Sequence, residues 1–194
     1  MESFEDKLQR VLSERVDVVD YDSAWPALFE SEAARLAAYF PPGLIRRLEH
    51  IGSTAVPGLA AKPIIDILVG VNDFALVTER VAPAMEQAGY DYFFRPAFGG
   101  EGPRYPWFIG RDASGQRLSH IHVALIDYTP QWDRVVFRDY LRRHPDAARN
   151  YAALKRNLAA RFPDDREAYT LAKTAFIHAA MERAQAEGLP CASS

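Results

Sequence analysis

Three groups of residues in this chain are of types, and at spacings, that do chemistry. Asp66 stands inside PIIDILVGV (63–71), an otherwise apolar run. An unpaired carboxylate among Ile, Leu and Val is costly, so it must meet a metal, a cation such as Lys62, Arg46 or Arg47, or the open end of a sheet. Upstream, Gly52-Ser53 opens the small-residue segment GSTAVPGLAA. A Gly-Ser turn at the head of a helical piece exposes backbone N–H groups and a hydroxyl, which together cradle phosphate oxygens, and Thr54 and Lys62 lie close enough in sequence to add contacts. Downstream, His120 and His122 stand two apart in HIHV, a spacing that on a strand puts both imidazoles on one face.

Each group also has a plainer reading. Asp66 could be a salt-bridged strand residue, Gly52-Ser53 a helix-capping turn and the histidine pair a set of backbone hydrogen bonds. His50, two residues before the turn, is expected to orient that loop, whereas Glu49 reads as solvated. Lys62, placed before Pro63, reads on its own as a surface charge. Tyr151 and Lys155 share a helical face, and with Arg138, Tyr140, Arg142 and Lys173 they read as an ordinary helix-surface stripe. Arg95, Arg104 and Arg111 flank the Gly- and Pro-rich stretch 96–106, which has the composition of a lid; those arginines read as solvated. Trp25, Phe29, Trp107, Trp132, Phe137 and Phe176 read as core.

The elements that must hold these residues follow from periodicity. Residues 4–14 predict a short amphipathic helix and 16–21 a brief strand. From 25 to 40, Trp25, Leu28, Phe29, Ala33, Leu36, Tyr39 and Phe40 recur at helical steps until Pro41-Pro42-Gly43. Strands are expected at 44–52, 63–71 and 90–95, with a helix over 73–88 closed by Gly89. Segments 107–110 and 118–126 read as paired strands around the Ser114-Gly115 turn. The rest is helical in three pieces, 130–143, 145–161 and 164–187. No GxGxxG motif follows a strand, and there is no Walker A motif.

The string HIGSTAVPGLAAKPIIDI resembles the GrpB family (UPF0157), which is placed in the nucleotidyltransferase superfamily. The likeness extends to W-x-x-x-F-E at 25–30, HIHV at 120–123, FRDYLR at 137–142 and Y-x-x-L-K at 151–155, and runs from about Val16 to Ala180. It implies an α+β, polymerase-β-like nucleotidyltransferase core, a mixed β-sheet flanked by helices, followed by a C-terminal helical extension. In such proteins a Gly-Ser turn holds a triphosphate, and a D-x-D or D-x-E pair with a third acid holds two divalent metals that neutralise charge and align the attacking hydroxyl. Gly52 and Ser53 match the turn and Asp66 the first acid. The sequence departs two residues on, where Leu68 stands in place of the second carboxylate. His120 and His122 stand where the third acid would be. Asp66 with two same-face histidines would suit zinc, manganese or iron better than magnesium.

Composition bounds the rest. The chain has 194 residues, 48% of them hydrophobic, a net charge of -3 and one cysteine, Cys191. One domain over 1–194 is expected, with a core at about 16–128 and the extension at about 129–188. The charge balance argues against a large nucleic acid partner, and the absence of an apolar run of about 20 residues argues against a membrane. Cysteine usage and the lack of a leader pattern suggest the cytoplasm. The resulting expectation is a protein binding a nucleotide or phosphorylated small molecule and transferring a nucleotidyl group with a divalent metal (Mg, Mn or Zn). Catalytic roles fall to Asp66 and His122, ligand contacts to Gly52, Ser53, Thr54 and Lys62, and metal ligation to Asp66, His120 and His122. Two alternatives stay open: a non-catalytic binding or accessory module that lost the second metal carboxylate at Leu68, and a His/Asp metal-dependent phosphohydrolase.

Overall fold

A computed structural model describes residues 4–95 and 104–189. Apolar residues two apart along β2 (Ile65–Val71) send Ile65, Ile67, Val69 and Val71 to one face of a sheet, leaving Asp66, Leu68 and Gly70 on the other. That sheet has five strands in the order β1-β2-β5-β4-β3, formed with β1 (Ile45–Ile51), β3 (Asp91–Arg95), β4 (Tyr105–Arg111) and β5 (Arg117–Leu125). β2 and β5 run parallel and the other pairs antiparallel, so the sheet is mixed and the architecture α+β.

One face carries the main core. Leu36 of α2 (Trp25–Ala37) joins Ile67, Val69, Ile121, Val123 and Phe108 there. The same cluster takes Val77, Val81 and Met85 from a helical stretch made of α3 (Phe74–Leu76), a π-turn (Val77–Val81) and α4 (Ala82–Gln87). Each such fully buried side chain contributes roughly 1.5–3 kcal/mol. On the opposite face, α5 (Thr129–Arg143) lays Trp132 and Val135 on Ile51, Leu68 and Ala124. At the far end of that face, Val11 of α1 (Phe4–Ser13) covers Phe93, Tyr105, Trp107 and Ile109. Helices α6 (Pro145–Arg161), α7 (Arg166–Leu171) and α8 (Thr174–Ala186) complete the C-terminal part. Asp66, His120 and His122 lie on this second face, between the patches covered by α1 and α5.

Several expectations need correction. Residues 16–21 form no strand: Val19 and Ala61 exchange a single pair of backbone hydrogen bonds of 2.9 and 3.0 Å. The partner segment then meets Pro63, which has no N–H to donate. Helix α2 stops at Ala37, three residues before Phe40; Ala38 and Tyr39 bond back only to Arg35 and Leu36, a tightening that anticipates the two prolines. The predicted helix over 164–187 is two helices, broken at Ala172-Lys173 without a Gly or Pro to announce it. β4 begins at Tyr105 rather than at 107. The expected lid falls mostly on 96–103, outside the described residues. Among the described residues no helix is long and apolar enough to cross a membrane.

Candidate functional site

Strand register builds the site. Asp66 pairs with His120 and Leu68 with His122 across β2 and β5, so the carboxylate and both imidazoles rise from one surface. His120 Nδ1 lies 3.0 Å from Asp66 Oδ1, and His122 Nε2 lies 3.9 Å from the same oxygen. Ile51 pairs with Asp66 from the other side, and the chain leaves β1 there through Gly52, whose φ of 72° is left-handed. A side chain at Gly52 would collide with the Asp66 carboxylate, so glycine is required both by the turn and by that approach. Ser53, Thr54 and Ala55 form a 3-10 turn, and His50 Nε2 meets Thr54 Oγ1 at 3.0 Å from beneath, its ring stacked on Phe29.

The surroundings fix protonation. Arg117 places a guanidinium N–H 3.3 Å from His120 Nε2. Arginine only donates, so Nε2 accepts and the His120 proton sits on Nδ1, facing Asp66. Burial lowers the His120 pKa to about 4 against the opposing pull of Asp66. His122 falls to about 3 through burial and the nearby Arg134 charge. Burial would raise the Asp66 pKa, but the His120 hydrogen bond and the adjacent His122 hold it well below the usual carboxylate range. At neutral pH the group is thus an anionic carboxylate with two neutral imidazoles. His122 Nδ1 is 3.2 Å from the Tyr105 hydroxyl, which also accepts from Arg134 at 3.4 Å.

Donor atoms of Asp66, His120 and His122 all lie within 4.8 Å of one another, close enough to share one cation. The two-metal arrangement does not fit: Leu68 is wholly buried beneath Trp132, and among the described residues no second carboxylate joins Asp66 and the two histidines. Nor is a single ion on all three residues well supported. Metal on His120 Nδ1 would turn the Nε2 proton toward Arg117, whereas ligating imidazoles ordinarily give that proton to an acceptor.

Cations crowd in from the segment before β2 and from the helical part. Lys62 Nζ is 5.4 Å and Lys173 Nζ 4.4 Å from the Tyr169 ring centroid, and Lys155 donates to the Ala60 carbonyl. Lys155 is 2% exposed, which overturns its reading as part of a helix-surface stripe; Lys62, half-buried, is no free surface charge either. Burial and neighbouring positive charge bring Lys155 to about 7; burial and Arg166 bring Lys173 to about 8. Lys62 is held well below the usual lysine range, by burial first.

Among the remaining sequence candidates, Glu49 is tied to Arg47 and Arg138 rather than solvated, and Arg142 is bonded to the Ala55 carbonyl. Arg111 pairs with Asp91 and Glu14, Arg104 donates to the Phe94 carbonyl, and Arg95 lies 4.6 Å over the Trp107 ring. Sequence reasoning missed Arg117, because residues 117 and 120 should face opposite sides of a strand. An extra residue, Leu118, slips the register so that Arg117 pairs with Arg111 and shares the His120 face. It also missed Arg166 and Tyr169, which a regular helix over 164–187 would not single out. A separate groove of about 750 Å³ lies between residues 56–60 and α5–α6; its lining includes arginines but no acid, histidine or nucleophile.

Comparisons with known proteins point to one family. The profile described as GrpB protein matches residues 15–183. A UPF0157 protein of Pseudomonas aeruginosa is 41% identical over 178 residues, covering 89% of this chain and 69% of its own. The crystal structure of conserved protein GrpB from Enterococcus faecalis is similar with a TM-score of 0.76 at 36% identity, covering 90% of this chain and all of that one. A Mycolicibacterium paratuberculosis protein named dephospho-CoA kinase is 30% identical over 188 residues, 87% of this chain but 46% of its own length.

Proposed function

We propose that this chain, which belongs to the GrpB family, binds a nucleotide or another phosphorylated small molecule over Asp66 on a nucleotidyltransferase-like fold. One observation carries this reading: the Gly52-Ser53 turn closes onto Asp66, while Lys62 and Lys173, with no ion pair among the described residues, gather over the Tyr169 ring. Backbone N–H groups at the turn and ammonium groups opposite are both suited to phosphate oxygens. The relative named dephospho-CoA kinase is consistent with a phosphate-bearing ligand, although that name belongs to a protein of which the chain spans 46%.

Ser53 would orient the phosphate; Thr54, expected to add a contact, is 1% exposed with its hydroxyl held by His50, and so supports the turn from inside. Neutral His122, whose Nε2 faces Asp66, is the group placed to move a proton. The buried Leu68 favours a second reading, a binding module without transfer chemistry, since no other described residue supplies the missing carboxylate. Titration calorimetry of the purified protein with nucleoside triphosphates, with and without manganese, tests the proposal. Binding that is lost in Ser53→Ala or shifted in Asp66→Asn supports it, and absence of nucleotide and phosphosugar binding under both conditions refutes it. Incorporation of labelled nucleotide into an acceptor would separate transferase from module.

A further inference from the structure

Three cations near Asp66 lack what buried cations require. Lys62 precedes β2, Lys155 lies on α6 and Lys173 at the break between α7 and α8, and none forms an ion pair with a carboxylate among the described residues. The neighbouring arginines do: Arg117 and Arg166 both pair with Glu14. Lys155 spends one N–H on the Ala60 carbonyl, and Lys62 and Lys173 crowd one face-providing ring, Tyr169. Keeping all three lysines protonated in a partly dry space is expensive unless an anion completes it. Asp66 supplies a single negative charge, too few to balance all three once they are protonated.

We infer that Lys62, Lys155 and Lys173 form a wall that binds an oligophosphate, two or more linked phosphates, without a divalent ion. The inference rests on the reading of this cleft as a phosphate site and names its ligand class. A phosphate chain carries charge on successive groups, which suits ammoniums arriving from three different elements. The position where a second metal's carboxylate would stand is filled by Leu68, wholly buried, so side-chain cations take over the neutralisation that a metal pair would supply. Asp66 then repels the metal-free ligand rather than helping to hold it.

Calorimetry with inorganic tripolyphosphate, pyrophosphate and orthophosphate in excess EDTA tests this. Tripolyphosphate is expected to bind at least 10-fold more tightly than orthophosphate. Lys173→Gln and, independently, Lys62→Gln should each weaken it about 10-fold, each variant first checked for a native urea transition. Arg149→Ala, an exposed arginine paired with Asp146, should change it less than 2-fold, and Asp66→Asn should tighten it. No binding in EDTA, equal weakening by Arg149→Ala, or loss in Asp66→Asn overturns the inference. Nucleotide binding that appears only with manganese and vanishes in Asp66→Asn also overturns it while sustaining the proposed function. Tripolyphosphate binding with no affinity for any nucleotide or phosphosugar does the reverse.

Discussion

Gly52 and Asp66 are fitted to each other: a Cβ on Gly52 would collide with Asp66 Oδ2 and stand 3.0 Å from its Cγ, on a residue whose φ is 72°. Gly52→Ala therefore meets two penalties, a left-handed backbone with a side chain and an overfilled contact, together about 2–4 kcal/mol of stability. Urea denaturation should register this loss. Adding Asp66→Ala should return part of it, because the carboxylate that collides is gone while the backbone strain stays. Strict additivity of the two substitutions would show that the contact does not exist.

Leu68 is the residue at which the proposed reading departs from a two-metal nucleotidyltransferase. It is wholly buried in a cluster with Ile51, Ala124, Trp132 and Val135. Leu68→Asp should not restore a metal pair; it should bury a charge beneath Trp132 and abolish the cooperative urea transition. Leu68→Ala should cost about 2–5 kcal/mol. A folded Leu68→Asp that binds manganese more tightly than the parent would reverse this view of the position.

The legible part of this fold was the part governed by period. The nearly continuous apolar run 63–71 announced a covered strand and the HIHV spacing put His120 and His122 on one face, because strand geometry is local; that Asp66 joins them was implied by the family resemblance. What stayed hidden came from contacts between segments distant in sequence. Arg117 reaches His120 only through the extra residue at Leu118, and Lys173 reaches Tyr169 only because the last helix breaks without a glycine or proline. Lys155 looked like surface since its helical stripe contains Arg and Lys; which face of α6 is covered depends on where residues 59–61 pass. Residues 16–21 had strand composition but no partner with free N–H groups beyond Ala61.

Acid should unfold this protein early. His120 and His122 have folded pKa values of about 4 and about 3, below the 6.5 of a free imidazole. Between pH 6.5 and 4 the unfolded chain binds more protons than the folded one, so stability falls as pH falls through that window. The slope is up to about 1.4 kcal/mol per pH unit for each ring. Urea midpoints measured in EDTA from pH 7 to 4.5 should show it, and His122→Gln should flatten the profile. A profile unchanged by that substitution would mean that His122 is already charged in the folded state.

Glu14 gathers Arg111, Arg117 and Arg166 just beyond α1, and Arg117 is the residue that fixes the His120 tautomer. Glu14→Gln leaves three crowded guanidiniums without that shared counter-charge and should cost about 2–4 kcal/mol. Arg117→Met in the same background should recover part of the loss by thinning the crowd. If the double variant is less stable than Glu14→Gln alone, the crowding is compensated elsewhere.

Lys173 offers the sharpest separation of stability from ligand binding. Its pKa is about 8 against 10.5 for a free lysine, lowered by burial first and then by Arg166, so the charge is carried at a cost in the unliganded protein. Between pH 8 and 10.5 the unfolded chain holds more protons than the folded one, so unliganded stability should rise with pH there, as it should from pH 7 for Lys155. Lys173→Met removes the charge while keeping a long apolar stem, and should stabilise the unliganded protein by about 1–2 kcal/mol at pH 7. The same variant should lose the protection that tripolyphosphate gives against thermal unfolding. A purely structural lysine would behave in the opposite way: its removal would lower stability and leave the ligand-induced rise in Tm intact.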